Sequence, residues 1–226
     1  MFGVLANVLT VLMGSSIGII FRKAIPEKIA SAAMIAIGLC NLCIGVSGMM
    51  EGKNALVLII SMVLGTMIGT GLDIDGRLNK LNTENPKSSN KGSNLVQGFI
   101  TASLVFCVGS MTILGGLDAG LKNDNTLYYT KALLDLISSS MLAASLGIGV
   151  IFAAVTVFVY QGALVLLASM LAPFLSPEII AELNCVGSVM IFALGLNLAG
   201  VGNFKVADFL PAIPLTPVVY TVISLL

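Results

Sequence analysis

The sequence contains no histidine and no tryptophan, and charged residues fill only 10% of its 226 positions. Without histidine there is no Ser-His or Cys-His catalysis, no imidazole metal site and no imidazole proton relay. Without tryptophan, the aromatic belt that anchors many membrane proteins at the lipid–water boundary is thin. The sparse charge sums to a formal net charge of zero, which leaves no basic surface for nucleic acid. What fills the chain is apolar: 57% hydrophobic residues and a mean hydropathy of +1.04. A soluble domain would hold about 45–50% apolar and about 25% charged residues. The expectation is an all-α polytopic membrane protein and not an enzyme, because no base–nucleophile pair is present and no cofactor is implied.

Four cysteines, Cys40, Cys43, Cys107 and Cys185, all lie inside apolar runs. Cys40 and Cys43 form a C-x-x-C, which in this setting reads as two small thiols packed in a membrane helix. The first apolar run has no basic residues before it and is long enough to cross a bilayer, so a cleavable signal is not expected.

Hydropathy and punctuation predict about eight transmembrane helices. They are Phe2–Phe21, Ile29–Met50, Asn54–Leu72, Leu95–Leu117, two helices within Leu127–Leu175, then Glu178–Gly200 and Val206 to the end. The Leu127–Leu175 run is too long for one span of about 20 residues, so a break is expected at Gly147-Ile148-Gly149. The last segment carries Pro211, Pro214 and Pro217 and should be interrupted, since each proline removes a backbone donor. A polar loop at 73–94 separates the third and fourth segments. If the N-terminus is outside, Arg22, Lys23, Lys28, Arg77, Lys80, Lys87, Lys91 and Lys205 face inward, against Lys53, Lys122 and Lys131 outward. That asymmetry sets the expected orientation in the membrane, with the N-terminus outside.

The chain also resembles itself. Pro26-Glu27-Lys28-Ile29-Ala30 and a following Gly38-Leu39-Cys40-Asn41-Leu42 are echoed by Pro177-Glu178-Ile179-Ile180-Ala181 and Gly195-Leu196-Asn197-Leu198. Cys107-Val108-Gly109-Ser110 recurs as Cys185-Val186-Gly187-Ser188. Glycine pairs Gly38/Gly45, Gly109/Gly116 and Gly195/Gly202 bracket Asn41, Thr112 and Asn197. Within one integral membrane domain, this predicts repeat one at 1–72, a middle two-helix unit at 95–149 and repeat two at 150–226. The first three and last three helices are then inverted repeats with broken helices.

An acid inside a span is costly unless paired or hydrated. Lys131 and Asp135 lie four residues apart on one helix face, and Ser138, Ser139 and Ser140 follow. Lys205 and Asp208 look like the repeat-matched pair. The expected binding set is Asn41, Thr112, Lys131, Asp135, Ser138, Ser139, Ser140, Asn197 and Asp208, with Asn7, Gln97 and Gln161 as further intramembrane amides. Breaks in the fifth and eighth helices are expected to meet near the midplane. Gly14-x-x-x-Gly18 and Gly65-x-x-x-Gly69 predict close helix contact and suggest a homodimer face.

Several stretches also resemble a prokaryotic membrane family catalogued as domain of unknown function 554, the YqgA-like proteins. They are Gly3-Val4-Leu5-Ala6-Asn7, Leu72-Asp73-Ile74-Asp75-Gly76-Arg77-Leu78, Gly98–Leu104 with Phe106–Gly109, Tyr129-Thr130-Lys131, Leu134-Asp135, Gly147–Val150, Tyr160-Gln161-Gly162 and Gly195–Leu198. The resemblance spans the chain and implies a polytopic plasma-membrane protein often labelled a transporter. Asp208 stands where that pattern leads one to expect Asn. The resulting expectation is a secondary transporter for a small polar or anionic solute, coupled to Na+ or H+. A passive channel and a non-transporting scaffold or sensor are the alternatives. A scaffold would show Asn41 and Asn197 bonded only to each other or to backbone.

Overall fold

A computed structural model of the chain describes residues 1–22, 27–77 and 92–225. Lys23, Pro26 and the loop positions Lys80, Lys87 and Lys91, on which part of the orientation and repeat argument rests, lie outside the described residues. The described elements are helices: α1 Phe2–Arg22, α2 Glu27–Met49, α3 Ala55–Gly71, α4 Gly92–Cys107, α5 Ser110–Leu121, α6 Thr126–Leu146, α7 Gly149–Leu166, α8 Ala168–Leu171, α9 Pro177–Leu198, a 3-10 turn Val206–Phe209 and α10 Ala212–Ser224.

Large apolar side chains face outward, and several polar ones are buried. Along α1, Phe2, Leu9, Met13 and Ile20 are exposed, whereas Gly3, Asn7, Gly14, Ser15 and Gly18 are buried. That is the inverse of a soluble amphipathic helix and suits a helix whose outer face meets lipid. Among the described residues, four helices are long and apolar enough to cross a bilayer, or five if α4 and α5, bent by 57°, form one broken span. Fewer helices pass that test than the eight spans expected. The apolar stretches of α2 and α3 are short, Met34–Met49 and Ala55–Gly71, and α6 carries Lys131, Asp135 and the three serines.

The chain forms two compact units: residues 1–36 with 85–172, and 37–84 with 173–226. In the first, α1 and α6 run parallel. Gly14 lies against Leu136 and Ser139, and Gly18 against Ser140 and Ala143. α4 and α5 run alongside α7 and α8: Gly98 meets Leu146 and Gly149, Gly116 meets Leu164, and Gly120 meets Ala168. Tyr128 is fully buried and packs with Val4, Ala119 and Val165. In the second unit α2 and α9 are antiparallel, with Gly38 on Gly195, Gly45 on Phe192 and Gly48 on Ser188. α3 is antiparallel to the last segment, with Gly65 against Ala212 and Gly69 against Asp208. Both G-x-x-x-G faces are therefore used inside the chain, and neither is free to serve as the expected homodimer face.

The expected break in Leu127–Leu175 is present. α6 ends at Leu146, and Gly147 takes φ 85°, ψ −151°, a conformation open to glycine alone at low cost. The Arg22 side chain sits directly on Gly147, placing a cation at a helix C-terminus. The last segment is interrupted as its prolines imply, with a 3-10 turn before α10 and Pro217 inside it.

The expected break within the fifth helix does not appear: α6 is continuous from Thr126 to Leu146, through Ser138–Ser140. Ser139 and Ser140 donate to the carbonyls of Leu136 (3.1 Å) and Ile137 (2.7 Å) on their own helix, a bond compatible with helical continuation. The interruption falls instead between α4 and α5, where Gly109 has φ 141°. The two Cys-Val-Gly-Ser copies consequently have different backbones: the first spans this break, and the second lies in the middle of unbroken α9. The local sequence does not decide; Thr112 and Tyr128 stitch the break. Thr112 Oγ1 donates to the Phe106 carbonyl (3.2 Å), and Tyr128 donates its hydroxyl to the Thr112 carbonyl (3.1 Å). Of the three glycine pairs, Gly38/Gly45 shares one helix face. Gly109 sits at the break and Gly202 lies beyond the end of α9.

Candidate functional site

The first unit gathers buried polar side chains from three helices. Asn7 of α1, Lys131 and Asp135 of α6 and Gln161 of α7 are 0%, 7%, 4% and 0% exposed. The register of α1 against α6 follows from the small residues Gly3, Gly14 and Gly18, which let the backbones close and bring Asn7 over the second turn of α6. Lys131 Nζ lies 3.0 Å from Asp135 Oδ1 and 3.0 Å from Oδ2. Oδ1 receives a well-directed hydrogen bond, whereas Oδ2 has charge nearby but no aligned donor. Asn7 Nδ2 donates to Gln161 Oε1 at 3.1 Å and also neighbours the Asp135 carboxylate. Cys107, the last residue of α4 before the break, lies within electrostatic reach of both Lys131 and Asp135.

This cluster is incompletely satisfied. Asn7 Oδ1 and Gln161 Nε2 are buried without a hydrogen-bond partner, while Asp135 Oδ2 is compensated by the Lys131 charge at 3.0 Å. Each unpartnered amide atom costs about 1–3 kcal/mol. The two together, beside an ion pair and a helix break, form a place where a polar guest would recover lost hydrogen bonds.

The remaining expected residues have other partners. Thr112 is occupied at the α4–α5 break. Asn197 holds Phe204 by two bonds of 2.8 Å, donating to its carbonyl and accepting from its N–H, and so closes the turn after α9. Asp208 is 2% exposed, and its Oδ1 accepts the Asp75 N–H at 2.9 Å. No Lys205–Asp208 ion pair forms among the described residues, so this pair does not repeat Lys131–Asp135; Lys205 is exposed. Asn41 is buried in the second unit with Nδ2 unpartnered. Gln97 is half-buried on α4. Asp135 lies in the first unit and Asp208 in the second, and α6 has no break to contribute to a shared site.

Sequence reasoning missed Glu182. It is 1% exposed on α9, and its Oε1 accepts the N–H groups of Lys53 (2.7 Å) and Asn54 (2.9 Å), just before α3 begins. Its Oε2 is unpartnered. Nearby, Asn184 donates to Glu51 Oε2 at 2.6 Å and the Cys185 thiol to the Met49 carbonyl at 3.4 Å. The available signal was an acid inside an apolar segment. Two wider grooves are apolar. One of about 670 Å³ runs past Phe99, Phe152 and Tyr160, and another of about 650 Å³ past Met62, Met67 and Phe209. Neither is lined by the buried polar residues.

Comparison with known proteins agrees with this picture of a membrane protein. The chain is 34% identical over 227 residues to the uncharacterized membrane protein YdfK of Bacillus subtilis (strain 168), covering 99% of this chain and 97% of that one. It is 26% identical over 220 residues to the uncharacterized protein YqgA of Escherichia coli (strain K12), covering 93% and 92%. No solved structure matches it. The profile of the family described as protein of unknown function (DUF554) matches residues 2–221, and the chain belongs to this family of membrane proteins.

Proposed function

We propose that the protein is a secondary transporter for a small polar solute, with the Asn7–Lys131–Asp135–Gln161 cluster as its binding site. The observation that carries this reading is the pair of unpartnered amide atoms, Asn7 Oδ1 and Gln161 Nε2, buried beside an ion pair among lipid-facing helices. Apolar side chains at these positions would avoid that cost, so polar ones in a membrane interior point to a polar ligand or ion. The break at Gly109, beside Cys107, supplies a hinge next to the site. Pairing of the repeat-matched glycines Gly38 and Gly195 on antiparallel helices is what an inverted repeat would produce. A plasma-membrane location with the N-terminus outside, coupling to H+ or Na+, and the lack of an enzymatic activity belong to the same reading.

One observation favours the scaffold alternative: Asn197 is bonded wholly to backbone. Asn41, with its free amide, does not follow it. The test is a thermal-shift screen of purified protein against small polar solutes, with and without sodium and across pH, followed by uptake into proteoliposomes. A transporter gives stabilisation that is lost in Gln161→Leu, because ligand binding stabilises the native state by mass action, together with saturable, gradient-dependent uptake. Unsaturable uptake independent of gradients would establish a channel, and no cluster-dependent ligand at all would leave a scaffold.

A further inference from the structure

We infer that the cluster selects a net-neutral solute bearing both a hydrogen-bond donor and an acceptor, of the carboxamide or zwitterion type, and discriminates against simple anions and cations. This rests on the reading of the cluster as the solute site and narrows its ligand.

The first argument is charge balance. Lys131 and Asp135 neutralise each other at 3.0 Å. The other members of the cluster, Asn7 and Gln161, are neutral amides that bond to one another. An entering anion would have to draw Lys131 away from Asp135 and leave a buried carboxylate uncompensated. An entering cation would strand Lys131 in the same way. Breaking a buried pair from one side is strongly unfavourable. A guest without net charge leaves the pair intact, or, if zwitterionic, meets each member with its opposite.

The second argument is the inventory of unused bonds. With Asn7 donating to Gln161, Asn7 Oδ1 is left as an acceptor and Gln161 Nε2 as a donor. If both amide groups are turned over, Gln161 donates to Asn7, and the unused atoms become an acceptor on Gln161 and a donor on Asn7. Either way one donor and one acceptor remain, on two different helices. A complementary guest must therefore offer one of each. Simple carboxylates lack the donor and simple ammonium ions lack the acceptor.

Both arguments predict how the selectivity should change. Asp135→Asn leaves Lys131 as an uncompensated cation and should turn the site toward anions. Lys131→Gln leaves Asp135 uncompensated and should turn it toward cations. The double variant Lys131→Gln/Asp135→Asn restores neutrality and serves as the folded control should either single variant be unstable. The probes are acetamide, glycine, acetate and methylammonium, each titrated into purified protein and read by thermal shift and calorimetry. Wild type should respond saturably to acetamide or glycine and at least about tenfold more weakly to the two ions. Asp135→Asn should gain acetate, and the double variant should keep acetamide and lose any glycine preference. Response to glycine without acetamide assigns the zwitterion, and the reverse assigns the amide. Acetate or methylammonium matching the neutral probes in wild type, no shift of preference in the charge variants, or no response to either neutral probe would each overturn the inference. The transport reading fails separately, if a neutral probe binds at the cluster but proteoliposomes do not take it up.

Discussion

The two units bury their acids in different ways. In the first, Asp135 is neutralised by Lys131 one helical turn away. In the second, Glu182 and Asp208 make no ion pair among the described residues. Each is held by main-chain N–H groups instead, Glu182 by Lys53 and Asn54 before α3, and Asp208 by Asp75 after it. The second arrangement ties down both ends of one helix and reads as architecture. The first fixes no backbone: its carboxylate meets the Lys131 side chain and neighbours Asn7, whose amide bonds in turn to Gln161, both amides with unused valence. A carboxylate that clamps backbone is committed, whereas one that meets side chains alone can exchange partners with a guest.

The sharpest test of this contrast is Lys131→Ala. It should lower stability by about 3–5 kcal/mol, because it leaves Asp135 buried and unpaired. Removing both charges with Lys131→Met/Asp135→Leu should recover most of that loss or exceed wild type. Thermal melts of the three proteins in one detergent would decide. Equal loss in the single and double variants would show that an unpaired charge is not what destabilises Lys131→Ala. In the second unit Glu182→Ala should cost about 1–3 kcal/mol through the orphaned amides of Lys53 and Asn54. There Glu182→Gln should restore most of the stability, since an amide oxygen can still accept from both. If Gln is as damaging as Ala, the charge of Glu182 matters and the unit is not merely clamped.

Part of this was legible in the sequence and part was not, for physical reasons. Composition revealed the membrane class because lipid leaves little room for charge. The Gly147–Gly149 break was readable because a 49-residue apolar run exceeds a bilayer and only glycine takes the conformation of Gly147. Lys131 and Asp135 were readable because i,i+4 spacing fixes their contact within one helix. Asn7 and Gln161 could be flagged as costly amides, but their meeting depends on the packing of α1 and α7, which no local pattern states. The Gly109 break was hidden for the same reason: an identical Cys-Val-Gly-Ser at 185–188 stays helical, and the bonds that stabilise the break come from Thr112 and Tyr128. Asp208 was assigned a ligand role by analogy with Asp135, whereas its partner is an amide on a distant turn.

Asp208→Asn offers a gentler probe of the second unit. The substitution keeps an oxygen for the Asp75 N–H, so we expect a loss of under about 1 kcal/mol, the difference between a charged and a neutral hydrogen bond. It should also leave unchanged any ligand response of the first unit. A loss of ligand response with stability intact would place Asp208 in the functional machinery and erase the distinction between the two units.

The smallest effect is expected at Asp124, which makes the same carboxylate-to-amide bond as Glu182 but in open solvent. Its Oδ1 accepts from the Thr126 N–H (2.9 Å) and the Thr126 hydroxyl (2.6 Å), at the start of α6. These two bonds hold its pKa below the ordinary aspartate value, the hydroxyl contributing most. The sign follows from that depression. The carboxylate adds stability at all pH values above the unfolded pKa, near 3.9, and the addition fades as pH falls through the lower folded value. Asp124→Asn should therefore leave melting unchanged within a degree or so at neutral pH and remove only a slight slope below about pH 4. Hydrogen exchange at the first turn of α6, compared at pH 3 and pH 6 after correction for intrinsic rates, would report it. A large effect at neutral pH would mean that water does not level the difference between a buried and an exposed carboxylate clamp, and that burial is not what makes Glu182 matter.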